Sequence, residues 1–290
     1  MRLIKKLTGI IFILVMSALL LTACQSASTG TNGTPAASTP EAGPSQPAPV
    51  VVKVGVVGEN NEQWEVIKEK LAKENITLEL VKFSDYVLPN QALAEGEIDL
   101  NAFQHYAYLN NEIKTKQYKI TAIGNTIIAP LGLYSQKVKS VSEIKAGDKI
   151  AIPNDVVNGG RALKVLEAAG LIKVNPDTGY SPTVNDITEN PLKLEFVEVE
   201  AAQTPKLLPD VTAAIINGGH AVDAGLNPTK DSIALEKVVS GSDNPFINII
   251  AARTEDKDNP VYKKVVDAYH TDEVKKVIET TYAGAYLVAW

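Results

Sequence analysis

Residues 50–58, VVVKVGVVG, form the β-branched run that a strand buried on both faces presents. Trp64, Ile67 and Leu71 follow at helical spacing. Residues 76–83 alternate like a second strand, a helical pattern returns over 90–95, and Ile98-Asp99-Leu100 reads as a third short strand. The order β-α-β-α-β predicts a parallel, doubly wound α/β sheet. Residues 120–134 read as two short strands around Pro130, a crossing between lobes. A second β-α-β series follows: a strand at 149–152, a helix from Arg161 to a stop at Gly170, and a strand at 192–199. Residues 175–190 are rich in turn formers and read as a surface excursion. Ala213-Ala214-Ile215-Ile216 and residues 246–250 are further strands, and two amphipathic helices at 260–268 and 272–282 close the chain.

The first residues carry a different pattern. Arg2, Lys5 and Lys6 precede an apolar run over 7–21, and Leu21-Thr22-Ala23-Cys24 has the form of a bacterial lipobox. A membrane span needs about 20 apolar residues and this run is shorter. Cys24 is the only cysteine, so the expected organisation is a signal peptide at 1–23 and a lipidated Cys24 holding the protein on the extracytoplasmic face of the cell membrane. Residues 25–49 contain no aromatic, no aliphatic larger than alanine and one charge, Glu41, which predicts a disordered tether. The remaining stretch of about 240 residues exceeds what one core usually organises, so two lobes are expected. They are lobe 1 at 50–131, with 246–290 returning to it, and lobe 2 at 132–245. Removing the three basic leader residues takes the net charge from -6 to -9, which disfavours nucleic-acid binding.

Candidate chemistry gathers at strand ends, where open α/β sheets place ligands. In IAIPNDVVNGGRALKVLEAAG, residues 150–170, Asn158 is the expected N-cap and Arg161 falls in the first turn. Two glycines, free N–H groups and a guanidinium describe an anion site, most simply a carboxylate clamp; a solvated surface arginine is the other reading. Around residues 101–109, Ala102, Tyr106, Leu109 and Ile113 fit one buried helical face, but Phe103, His105 and Tyr108 fall off it. Asn217 and Asn248 sit in apolar surroundings, as structural bridges or as ligand contacts. His105, His220 and His270 lack ligand spacing, so no metal is expected. Gly55 and Gly58 do not complete GxGxxG, and no GxSxG, HExxH, P-loop or Cys–His arrangement is present, so neither cofactor nor catalysis is expected.

The segments VKFSDYVLPNQAL, IDLNAFQHYAYL, IPNDVVNGGRAL, AAIINGGHA and NPFINIIAAR resemble, in order, motifs of the NlpA-type methionine-binding lipoproteins, the substrate-binding components of methionine ABC importers. The resemblance spans residues 51–290. It implies a two-lobed periplasmic-binding-protein-like fold with methionine in the cleft. It also implies ligand contacts at Tyr86, Phe103, His105, Tyr108, Arg161, Asn217 and Asn248, with an importer permease and its ATPase as partners. Arg161 would hold the carboxylate, the two asparagines the polar head, and the aromatics the thioether. Val156-Val157 and Gly218-Gly219-His220 depart from the family pattern. They bear on whether the ligand is L- or D-methionine, a methionine-containing peptide or another apolar amino acid. A surface adhesion lipoprotein is the alternative from another class.

Because anchor and fold are separate in the sequence, Cys24→Ala is expected to release the protein from membranes without changing ligand affinity. Membrane fractionation and calorimetric titration check this; a large affinity loss would place the anchor segment in the site.

Overall fold

Strand β1 (Val50–Val57) begins where the sequence turns apolar, with Val52, Val54 and Val56 buried on one side. Gly55 lies on its other side, where a Cβ would come within 2.6 Å of Ile98 Cδ1, so its bare backbone lets that layer close down. The computed structural model describes residues 48–238, 241 and 243–290. The expected signal peptide, the Cys24 anchor and nearly all of the tether lie outside the described residues.

From β1 the chain runs through α1 (Gln63–Ala72), β2 (Ile76–Phe83), α2 (Leu88–Glu95), β3 (Leu100–Asn101), α3 (Tyr106–Lys116) and β4 (Ile120–Asn125). After β5 (Ile127–Ile128) it crosses to β6 (Gly132–Tyr134), β7 (Lys149–Pro153) and α4 (Val156–Ala168). A small pair, β8 (Lys173–Val174) and β9 (Ile187–Glu189), precedes β10 (Glu195–Val199), β11 (Ala213–Ile216), α5 (Gly218–Asp223), α6 (Pro228–Asp231) and β12 (Ala234–Leu235). It then returns as β13 (Ile249–Arg253), α7 (Pro260–Tyr269), α8 (Asp272–Thr281) and β14 (Leu287–Val288).

Two five-stranded sheets result, in the orders β2-β1-β3-β13-β4 and β10-β7-β11-β6-β12. β1 is parallel to β2 and β3, and β7 is parallel to β10 and β11. The expected all-parallel arrangement ends there, because β13 is antiparallel to both β3 and β4, and β6 is antiparallel to β11 and β12. The reason is direction of entry: β3 and β4 run toward the joint between the sheets, whereas β13 starts at the joint and runs away from it. The strand expected at 246–250 accordingly begins only at Ile249, and Phe246 to Asn248 belong to the crossing.

Helices cover both faces of the first sheet. Trp64, Ile67 and Leu71 of α1 pack with Val265, Tyr269, Val274 and Ile278 of α7 and α8 on one face; Leu93 and Leu109 of α2 and α3 pack with Ile249 on the other. The second sheet buries Leu163 and Leu166 of α4 against Ile150 and Ile152 on one side, and Leu208 and Ala221 on the other. The two crossings are paired with each other. Thr126 N donates to Asn248 O and Asn248 N to Ile127 O, each at 2.7 Å, and β14 adds an antiparallel strand to β5.

Candidate functional site

The carboxyl ends of β1, β3, β7 and β11 face one another across the joint, and the side chains just beyond them form its lining. His105 caps α3: its Nδ1 accepts from Tyr108 N at 3.1 Å. That bond leaves the ring proton on Nε2, which lies 3.3 Å from Asn158 Oδ1 of α4. Burial, reinforced by the nearby Arg161 charge and opposed by the Asn158 hydrogen bond, pushes the imidazole down to about 3. His105 is therefore neutral. Asn217 Nδ2 donates to the same Asn158 oxygen at 2.9 Å, and Asn158 Nδ2 donates to both Asp155 oxygens at 3.1 Å. One buried amide thus joins three elements and both sheets.

The helix bearing Arg161 starts earlier than the sequence predicted. Asp155 is its N-cap, accepting from Asn158 N at 2.8 Å, so Asn158 is not the cap and Arg161 lies beyond the first turn. Gly159 and Gly160 are helical, and they serve packing rather than an anion. A Cβ on Gly159 would sit 2.8 Å from Pro153 O, and one on Gly160 would sit 2.5 Å from Ser181 Cα.

Arg161 is 3 % exposed and already holds a carboxylate. Its Nε and Nη2 donate to Glu236 Oε1 and Oε2, both at 2.6 Å, and Nη2 also donates to Ala129 O at 3.0 Å. Phe246 lies under the guanidinium, 4.4 Å from carbon to ring centroid. Nη1 has no hydrogen-bond partner among the described residues, and Arg161 lines the cavity. Glu236 was not expected at the site; one acidic residue in ALEKVV carries no pattern that marks it.

All seven expected residues, Tyr86, Phe103, His105, Tyr108, Arg161, Asn217 and Asn248, line a single cavity of about 90 Å³, several times the space that one water needs. Tyr86, Phe103 and Tyr108 are mutually in contact, with centroids 5.9–6.2 Å apart. Their hydroxyl-bearing rings are deep enough that burial pushes Tyr86 and Tyr108 well above the usual phenol range. Tyr108 Oη donates to Tyr86 O at 3.0 Å. Val157 of α4 joins this apolar cluster from the second sheet. His220 and Asp223 also border the cavity, though neither was expected there as a ligand contact. Asp223 clasps the turn after β1: Oδ1 accepts from Glu59 N and Asn60 N at 3.1 Å and from Asn60 Nδ2 at 2.7 Å. Gly58, at φ +84°, makes the approach possible, since a Cβ there would lie 1.9 Å from Asp223 Oδ2.

With Arg161 matched by Glu236 and both lining histidines neutral, the charge left over on the lining is the carboxylate of Asp223, which meets only neutral N–H donors. Such a lining suits a zwitterion better than a bare anion, whose charge would find no unmatched cation there.

The profile of a known family, NlpA lipoprotein, matches residues 52–290. The D-methionine-binding lipoprotein MetQ of Yersinia pestis is 43% identical over 252 residues, covering 86% of this chain and 92% of its own. That of Escherichia coli K12 is 42% identical over 243 residues, with 82% and 88% covered. Among solved structures, protein PG110 of Staphylococcus aureus is 47% identical with a TM-score of 0.79, covering 82% of this chain and 93% of its own. A nutrient-binding protein of Burkholderia cenocepacia, solved bound to methionine, is 44% identical with a TM-score of 0.78, covering 82% and 100%.

Two outcomes follow from this geometry. Arg161→Ala strands a largely buried carboxylate and is expected to destabilise folding by about 3 kcal/mol, with Arg161→Met plus Glu236→Leu recovering much of the loss, as read by urea unfolding. A second-site variant that recovered nothing would show that the pair's partners, not its charges, carry the cost. The second outcome concerns acid. Between about pH 6.5 and about 3 the unfolded chain takes up a proton at residue 105 that the folded protein refuses, so stability falls as pH drops through that window. The slope reaches about 1.4 kcal/mol per pH unit for one such histidine. His105→Gln should flatten the pH dependence of the urea midpoint from pH 6 to 4; an unaltered slope would assign the acid lability to other groups.

Proposed function

Because the chain belongs to the NlpA lipoprotein family, we propose that it is a lipid-anchored solute-binding protein that captures methionine at the extracytoplasmic face and delivers it to an ABC importer. The observation that carries this reading is the single cavity on which all seven residues converge, rings in one cluster and amides with a guanidinium edge in another. The Nη1 edge of Arg161 meets the ligand carboxylate while Glu236 holds the opposite edge. Asn217 and Asn248 share the amino-acid head, and Tyr86, Phe103 and Tyr108 surround the thioether, a soft group that favours sulfur–aromatic contact.

Lobe 1 comprises residues 50–131 and 246–290, and lobe 2 residues 132–245. The paired crossings act as the hinge, and ligand shifts the population toward the closed form by touching both lobes at once. Asp223 and His105 make lobe-to-lobe contacts without needing ligand, so closure requires only the remainder from binding. Cys24 anchors the protein, the importer permease and its ATPase receive the ligand, and no chemistry is done on it. The MetQ relatives and the Burkholderia cenocepacia protein named above are binding proteins, which supports this last point.

Mass spectrometry of the small molecule released on unfolding the purified protein is expected to find methionine. Added methionine should raise the melting temperature more than leucine does, by an amount corresponding to about 2.7 kcal/mol at a hundredfold excess over Kd. No shift with either enantiomer of methionine or with a methionine-containing dipeptide would sink the assignment.

A further inference from the structure

Two sealed polar atoms belonging to cavity-lining residues have no partner among the described residues: Asn217 Oδ1 and His220 Nε2. Native proteins pair nearly all such atoms with protein, water or ligand, so two of them on side chains that line one cavity call for partners that a bound molecule can supply. Asn217 lies with the amides that take the amino-acid head. His220 lies elsewhere. Its ring packs on Tyr86, with centroids 4.8 Å apart and planes 32° apart, and Tyr86 touches Phe103 and Tyr108 in turn. It therefore stands with the rings, against the apolar end of a ligand. The residue is 7 % exposed, and burial pushes its imidazole down to about 4, so it is a neutral ring there. Tyr108, on the far side of Tyr86 in that cluster, cannot serve in its place, because its hydroxyl already donates to Tyr86 O.

We propose that His220 is a specificity-determining ligand contact whose Nε2–H donates to the sulfur of the bound thioether side chain. The proposal rests on the methionine reading above. A thioether accepts but cannot donate, which places the ring proton on Nε2 in the bound state. Norleucine, with a methylene where methionine has sulfur, fills the same space and leaves the histidine unpaired. A site discriminates against an analogue of this kind through that omission, as an unmet buried donor weighs against the wrong ligand.

Calorimetric titration of the full chain with methionine and with norleucine tests this on wild type, His220→Phe, His220→Leu and His220→Gln. Wild type is expected to prefer methionine. His220→Phe and His220→Leu should weaken methionine binding roughly two- to tenfold, the range of one neutral hydrogen bond, and norleucine binding less than twofold. His220→Gln, which keeps an N–H donor, should retain part of the preference. Without ligand, His220→Phe should melt higher than wild type, because its orphaned nitrogen is gone. Equal losses for the two ligands would overturn the proposal and leave His220 as packing. Should wild type bind neither ligand, the methionine reading itself falls, an outcome separate from the loss of coupling alone.

Discussion

A guanidinium taken almost wholly out of water dictates the layout of the joint. Arg161 needs a carboxylate, further acceptors and a polarizable surface, and it draws these from Glu236 beyond β12, Ala129 on the outgoing crossing and Phe246 on the returning one. Glu236 Oε2 also accepts from Leu131 N at 3.0 Å, so the carboxylate is itself fastened to the outgoing crossing. Buried pairs rarely stabilise a fold more than apolar packing would. What this one contributes is position: α4 and both crossings cannot shift independently while the pair is intact. The same constraint fixes the orientation of a guanidinium that lines the cavity, leaving it little freedom to lose.

Across the cleft the contacts are of another kind. His105 to Asn158 at 3.3 Å is a long hydrogen bond, and Asp223 clasps Asn60 at a solvent-exposed edge. Bonds exposed to water contribute modestly. The two lobes thus meet through one long buried bond and one clasp at an exposed edge, around a strongly fixed joint.

Much of this is legible in the sequence alone. The valine run of β1 and the aromatics off the α3 stripe announced a strand and side chains gathered in a cavity at a strand end, because both are local patterns. The strand expected to be buried on both faces nonetheless leaves Val50, Val51 and Lys53 exposed at its start. The start of α4 was misread because Asp155 and Asn158 are both good caps and two glycines look like a loop. They are glycines because Pro153 O and Ser181 come too close to admit side chains, a fact about residues distant in sequence or hidden in geometry. The direction of β13 and the role of Glu236 were illegible for the same reason. Each depends on a partner far along the chain, and neither leaves a periodicity behind.

The insertion of β13 between β3 and β4 has a consequence for how the molecule comes into being. A chain emerging amino end first presents β1, β2 and β3 long before residue 249 exists, so the growing first sheet lacks its fourth strand and cannot seat β4. The second sheet has no such wait, since all its strands lie between residues 132 and 235. The half-built sheet offers an unpaired apolar edge during that interval, the feature that invites association between nascent copies. Its completion depends on contacts of long sequence separation, which form slowly. The strand of that sheet that comes last in the sequence therefore closes the sheet begun first.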